Sequence, residues 1–119
     1  MSRIWDTHSV KLATFHPKAL QVIRSFPTDV RREIGKLIFD LQLGTKLTMP
    51  LSRSMPSVAA GVSELRIRDR TGAYRVFYST KLADSIVIFH AYAKKAQKTP
   101  HPEIVLAQER LREMIDEKG

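Results

Sequence analysis

Residues 64–78 read Glu-Leu-Arg-Ile-Arg-Asp-Arg-Thr-Gly-Ala-Tyr-Arg-Val-Phe-Tyr, and this alternation could do phosphate chemistry. Successive side chains of an extended strand point to opposite faces. Leu65 and Ile67 therefore share one face, while Glu64, Arg66 and Arg68 share the other. Arg75 sits on the next extended run, and Lys94, Lys95 and Lys98 follow a third. Guanidinium forks take phosphate oxygens bidentately, and lysine adds a mobile point charge. Tyr74, Tyr78, Phe77 or Tyr92 could stack on an unpaired base.

Such a set could cleave RNA without a metal ion. The ribose 2′-hydroxyl attacks the adjacent phosphate. A base takes its proton, cations stabilise the pentacoordinate anion, and an acid protonates the leaving 5′-oxygen. An isolated lysine, with a pKa of ~10.4, is a poor base at neutral pH. Crowding among other cations lowers that value and improves it. Histidine is the simpler proton carrier, which keeps His90 and His101 as minor candidates. Each feature also has a plainer reading. The arginines could be a solvated outer face, with Glu64 in cross-strand ion pairs. Lys94 and Lys95 could be an ordinary turn, Tyr74 and Tyr78 packing residues, and His90 a core histidine.

Other chemistries lack their motifs. The chain has no Gly-rich phosphate loop, no HExxH and no GxSxG. His8, His16, His90 and His101 lack metal-ligand spacing, and no acidic pair suggests a two-metal site. There is no cysteine, hence no disulfide framework and no thiolate site. Neither a metal nor a cofactor is expected.

The net charge of +8 favours an anionic partner. Residues 61–99 carry eight Lys/Arg against three Asp/Glu, whereas residues 100–119 carry three against five. The basic character thus belongs to the body of the chain, not to its last segment. A length of 119 residues with 43% hydrophobic content suits one compact domain. No apolar run reaches the ~18–20 residues that span a membrane. Met-Ser-Arg-Ile-Trp-Asp at the start lacks the apolar core of a secretory leader, so a cytoplasmic protein with no membrane association is expected.

The elements that must position these residues follow from periodicity. Residues 9–15 alternate as a first strand. Pro17 opens a helix over 17–26, with Ala19, Leu20, Ile23 and Phe26 on its apolar side. Pro27 ends it. Thr28 is placed to cap a second helix through its hydroxyl, along which Val30, Ile34, Leu37, Ile38 and Leu41 keep helical spacing. Gly44 is its stop. Residues 45–60 lack periodicity, with Leu47, Leu51 and Met55 expected to tuck into the core. Strands follow at 61–69, 73–80 and 85–92, joined at Thr71-Gly72 and at Ala83-Asp84. A final helix spans Pro102 to Lys118, with Ile104, Ala107, Leu111 and Ile115 on one side. The order β-α-α-β-β-β-α predicts an α+β domain, its helices against one face of a mostly antiparallel sheet.

In combination these residues resemble the phage-derived HigB-like toxins of the RelE/ParE superfamily. The resemblance rests on Glu64-Leu-Arg66, Tyr74-Arg-Val-Phe-Tyr78, His90-Ala-Tyr-Ala-Lys-Lys95, Lys98-Thr-Pro100 and Ile104…Ala107. Upstream, Phe26-Pro27, Gly35 and Leu41-Gln-Leu-Gly44 agree, so it covers roughly residues 9–116. It implies a RelE-like fold and the toxin of a type II toxin–antitoxin pair. The implied activity is an mRNA endoribonuclease, one that acts with the ribosome. The implied partner is a cognate antitoxin with a helix-turn-helix domain. The alternative within the superfamily is a ParE-like, non-catalytic inhibitor of DNA gyrase. Carried over residue by residue, the resemblance gives Arg66 and Arg75 phosphate binding and transition-state stabilisation. Lys94, Lys95 and Lys98 fall where a further basic catalytic residue lies, without a choice among them. Glu64 would be a general base or would orient Arg66. Arg68, Tyr74, Tyr78 and His101 complete the candidate substrate-binding set. RelE-like toxins often carry a tyrosine or histidine near the C-terminus, and the helix from Glu103 to Lys118 has neither.

Overall fold

The computed structural model describes residues 10–82, 84–95 and 99–118, with side chains through Asp116. The elements are β1 (Leu12–Phe15), α1 (Pro17–Arg24), α2 (Thr28–Gln42), β2 (Ser52–Ser54), β3 (Val62–Asp69), β4 (Gly72–Ser79), β5 (Ser85–Lys94) and α3 (His101–Lys118). The five strands form one sheet in the order β1-β5-β4-β3-β2. β1 runs parallel to β5, and every other pairing is antiparallel. The result is a mixed α+β fold, compatible with the RelE-like architecture. Among the described residues, no helix is long and apolar enough to cross a membrane.

Each sheet face buries a separate core. On one side α1, α2 and the turn between them contribute Ile23, Phe26, Val30, Ile34, Leu37, Ile38 and Leu41. These pack on Leu65 and Ile67 of β3, on Tyr74, Val76 and Tyr78 of β4, and on Ile86, Ile88 and Ala91 of β5. On the other side α3 brings Ala107, Leu111 and Met114 against Phe77, Val87, Phe89 and Tyr92. Burying one such aliphatic side chain is worth about 1.5–3 kcal/mol. The helices therefore lie on both faces, not on one. An apolar helix stripe says that a face is covered but not which face of the sheet it covers.

Several local expectations change as well. Thr28 is the first residue of α2 and not its cap; Pro27 occupies the cap position, with no side-chain hydrogen bond. The Thr28 hydroxyl instead accepts from Arg31 at 3.2 Å. Gly44 does end α2, in a left-handed conformation at φ +94°. Leu51 and Ile115 remain exposed, while Met55 and Met114 are buried. The stretch 45–60 contains a short edge strand, β2, that its sequence does not announce.

α3 covers only part of its face. It is held by two histidine–carboxylate contacts. His16 caps α1 by accepting from the Lys18 backbone N–H at 3.1 Å, and its Nε2 meets Glu113 at 2.6 Å. His90 Nε2 meets Glu103 at 2.6 Å. The sheet surface beyond the N-terminal end of α3 stays open, and the candidate site lies there.

Candidate functional site

The register across the open face is a grid. Arg53 of β2 pairs with Glu64 of β3, which pairs with Phe77 of β4, which pairs with His90 of β5. In the next row Arg66 pairs with Arg75, and Arg75 with Tyr92. In the row after that, Arg68 pairs with Ala73, and Ala73 with Lys94. Strand alternation and this register together bring Glu64, Arg66, Arg68, Arg75 and Lys94 to one surface. A cleft of about 440 Å³ opens there, lined by Arg53, Arg66, Arg68, Arg75, Lys94 and Lys95 around Gly72 and Ala73.

Glu64 is the buried anchor of these cations. Its side chain is 1% exposed. Oε1 lies 3.3 Å from Arg66, 3.5 Å from Arg75 Nε and 3.6 Å from Arg53 Nε. Oε2 has no hydrogen-bond partner. Buried under guanidiniums, this carboxylate is placed to orient them. Arg75 is itself buried and also donates to the Tyr74 carbonyl at 3.3 Å. Burial pulls its pKa down, with the Arg66 charge adding and Glu64 opposing. It forms the floor of the cleft. Arg66, a quarter exposed, and the exposed Arg68 form the rim.

Lys94 stands out among the lysines. Its pKa is lowered, first by desolvation and then by the Arg75 charge, with Glu64 opposing and Arg66 and Arg53 adding. Burial and neighbouring cations both act to make a lysine a better base. Lys95 lines the same cleft and is exposed. Lys98 lies outside the described residues. Tyr92, directly opposite Arg75, has a buried hydroxyl whose pKa is raised by burial and further by the Glu64 charge.

The remaining candidates are placed elsewhere. Tyr74 and Tyr78 fall on the opposite face, among the residues that α1 and α2 cover. The Tyr74 ring packs on Phe26 at 4.8 Å, and its hydroxyl pairs with Thr71 at 2.6 Å. The Tyr78 hydroxyl pairs with Ser52 at 2.6 Å. Even positions of β4 point away from the odd position of Arg75, so both tyrosines lie across the sheet from the cleft. His101 is exposed at the start of α3 and does not line the cleft.

His90 is buried beneath α3. A β-bulge puts Phe77 opposite His90 but Tyr78 opposite Ile88, leaving Phe89 as the extra residue. Phe89 and His90 consequently both face α3. Arg110 donates to Nδ1 at 2.9 Å, so the Nε2 proton goes to Glu103. Burial lowers the His90 pKa, the Glu103 hydrogen bond opposes, and Arg110 adds to the lowering. This neutral, doubly bonded imidazole joins α3 to β5 and does not face the cleft.

Arg53 is the member of the site that the sequence did not reveal. It lies in a stretch without periodicity, and only the pairing of β2 with β3 brings it beside Glu64. Its place two residues before Met55, in a run bounded by Pro50 and Pro56, carries no strand signal. Among the described residues, no group of three or more His, Asp or Glu side chains could hold a metal ion.

The family model of phage-derived Gp49-like proteins (DUF891) matches residues 21–112. The match takes in every described cation of the cleft. Gp49-like proteins are phage-derived and related to the toxins of toxin–antitoxin systems. No curated protein matches the chain.

Proposed function

We propose, because this chain belongs to the phage-derived Gp49-like family and carries the cleft described above, that it is the toxin of a type II toxin–antitoxin pair and cleaves mRNA without a metal ion. The observation that carries the reading is six cations lining one open cleft around a single buried carboxylate. That excess of positive charge suits a phosphodiester passing through it.

In this mechanism Arg66 holds a non-bridging phosphate oxygen, and Arg75 supplies charge from the floor. Glu64 keeps both guanidiniums in place. The neutral amine of Lys94 takes the proton of the ribose 2′-hydroxyl. The 2′-oxygen then bonds to phosphorus, and the bond from phosphorus to the 5′-oxygen breaks. The Lys95 ammonium gives its proton to that oxygen. The products are a 2′,3′-cyclic phosphate and a 5′-hydroxyl. A cluster this open gains from a second body that fixes the RNA, because positioning supplies much of a rate enhancement. The ribosome is that body in our reading, as it is for HigB-like toxins, and the neutralising partner is a helix-turn-helix antitoxin.

The test is inducible expression with mapping of mRNA 5′ ends. Growth arrest accompanied by new 5′-hydroxyl ends is expected, with both abolished by Lys94→Met and Arg66→Gln together. Arrest with intact mRNA and inhibited gyrase supercoiling would instead establish the ParE-like activity.

A further inference from the structure

Beyond Arg53 a second cavity of about 340 Å³ opens, lined by Arg53, Met55, Pro56, Ser57, Thr99 and Ile104 among others. Arg53 is common to both cavities. Its guanidinium is braced on two sides: Nε lies 3.6 Å from Glu64, and NH2 donates to Met55 Sδ at 3.5 Å. The side chain is nonetheless 47% exposed. Apart from Arg53, no lining residue of this second cavity carries a charge.

We propose that this cavity holds a nucleobase next to the phosphate in the cationic cleft, with Arg53 stacked on the base. The inference rests on the RNA-cleaving reading above. A nucleotide strand alternates an anionic phosphate with a flat base of apolar faces. The molecule offers the matching pair: a strongly cationic cleft, then a weakly charged cavity with Met55, Pro56 and Ile104 as walls, joined by one arginine. Guanidinium planes stack on bases as they do on aromatic rings. Small-molecule sites run from roughly 300 to 1,000 Å³, and this one falls at the small end. Of the four aromatics expected to stack on a base, Tyr74 and Tyr78 are on the far face of the sheet, and Phe77 and Tyr92 are buried in the core beneath α3. A purely acidic ligand, by contrast, would gain little from leaving the cleft for this cavity.

The experiment uses 2′-O-methyl RNA trinucleotides, which bind but lack the attacking hydroxyl. Intact and singly abasic versions are titrated by NMR or fluorescence anisotropy. The wild type should bind the intact strand about tenfold more tightly than one of the abasic strands, the effect of one stacked base. Ser57→Trp, which fills the cavity from an exposed position, should erase that gap and leave the abasic affinity unchanged. Ile104→Ala, a milder change to the wall, should narrow it. Equal affinity of the wild type for intact and abasic strands overturns the base site and leaves the phosphate cleft standing. No binding of any strand, or binding indifferent to Arg66→Gln, overturns the cleft reading and this inference with it.

Discussion

Arg66 and Arg75 stand directly opposite each other on β3 and β4, and the same Glu64 oxygen contacts both, at 3.3 and 3.5 Å. Like charges facing each other across a sheet are destabilising. Here one buried carboxylate offsets that repulsion, and the residual positive charge is left facing the cleft.

Glu64→Gln should therefore destabilise the fold. Removing one member of a buried ion pair costs about 3–5 kcal/mol, because the remaining charge stays buried. Gln keeps the size but not the charge, leaving Arg75 beside Arg66 and Arg53. A clear fall in melting temperature is expected. Inorganic phosphate should restore part of it, since an anion that binds only the folded cluster stabilises it. The double variant Glu64→Gln/Arg75→Met should melt higher than Glu64→Gln alone. An unchanged melting temperature for Glu64→Gln would show that the carboxylate does not hold the cluster.

Cleavage should rise with pH as Lys94 loses its proton, with the rise centred below the ordinary lysine value of ~10.4. Neighbouring arginines contribute to that lowering. Arg66→Met should thus move the rise to higher pH, besides slowing cleavage throughout. Lys94→Met should abolish the rise. A pH–rate profile for each variant is the measurement, and a profile unmoved by Arg66→Met would remove Lys94 as the proton acceptor.

The arginine face was legible because strand alternation has a period of two and needs no tertiary information. Glu64, Arg66 and Arg68 share a surface for that reason alone, and Arg75 joins them through the β3–β4 register. Arg53 was not legible, because β2 is three residues long and exists only by pairing with β3. The facing of β5 was not legible either. The extra residue Phe89 breaks its alternation, so His90 and Phe89 lie on the same side. That Lys94 belongs to β5 and feels the Arg75 charge was not legible, because it depends on the strand extending to residue 94.

The imidazole beneath α3 makes the fold sensitive to acid. The folded state lowers the His90 pKa, so the unfolded chain binds more protons between the two values. Stability should be full above the unfolded histidine value of ~6.5 and should fall as pH drops below it. Arg110 contributes to the lowering, and Arg110→Met removes that contribution. Urea unfolding at pH 8 and pH 5 should show a smaller pH-dependent loss in Arg110→Met than in the wild type. The opposite ordering would mean that His90 is charged in the folded protein.

Tyr74 and Tyr78 separate packing from catalysis. Both lie on the α1–α2 face, across the sheet from the cationic cleft. Tyr78→Phe leaves the buried Ser52 hydroxyl without its 2.6 Å partner, which should cost about 1–3 kcal/mol. Tyr74→Phe removes a contact to the exposed Thr71 and should cost less. Folded Tyr74→Phe and Tyr78→Phe proteins should cleave RNA at the wild-type rate, because neither hydroxyl reaches the cleft. Rates and melting temperatures measured on the same preparations decide the matter. A large loss of cleavage in Tyr74→Phe at unchanged stability would return that ring to the substrate site and contradict the register of β4.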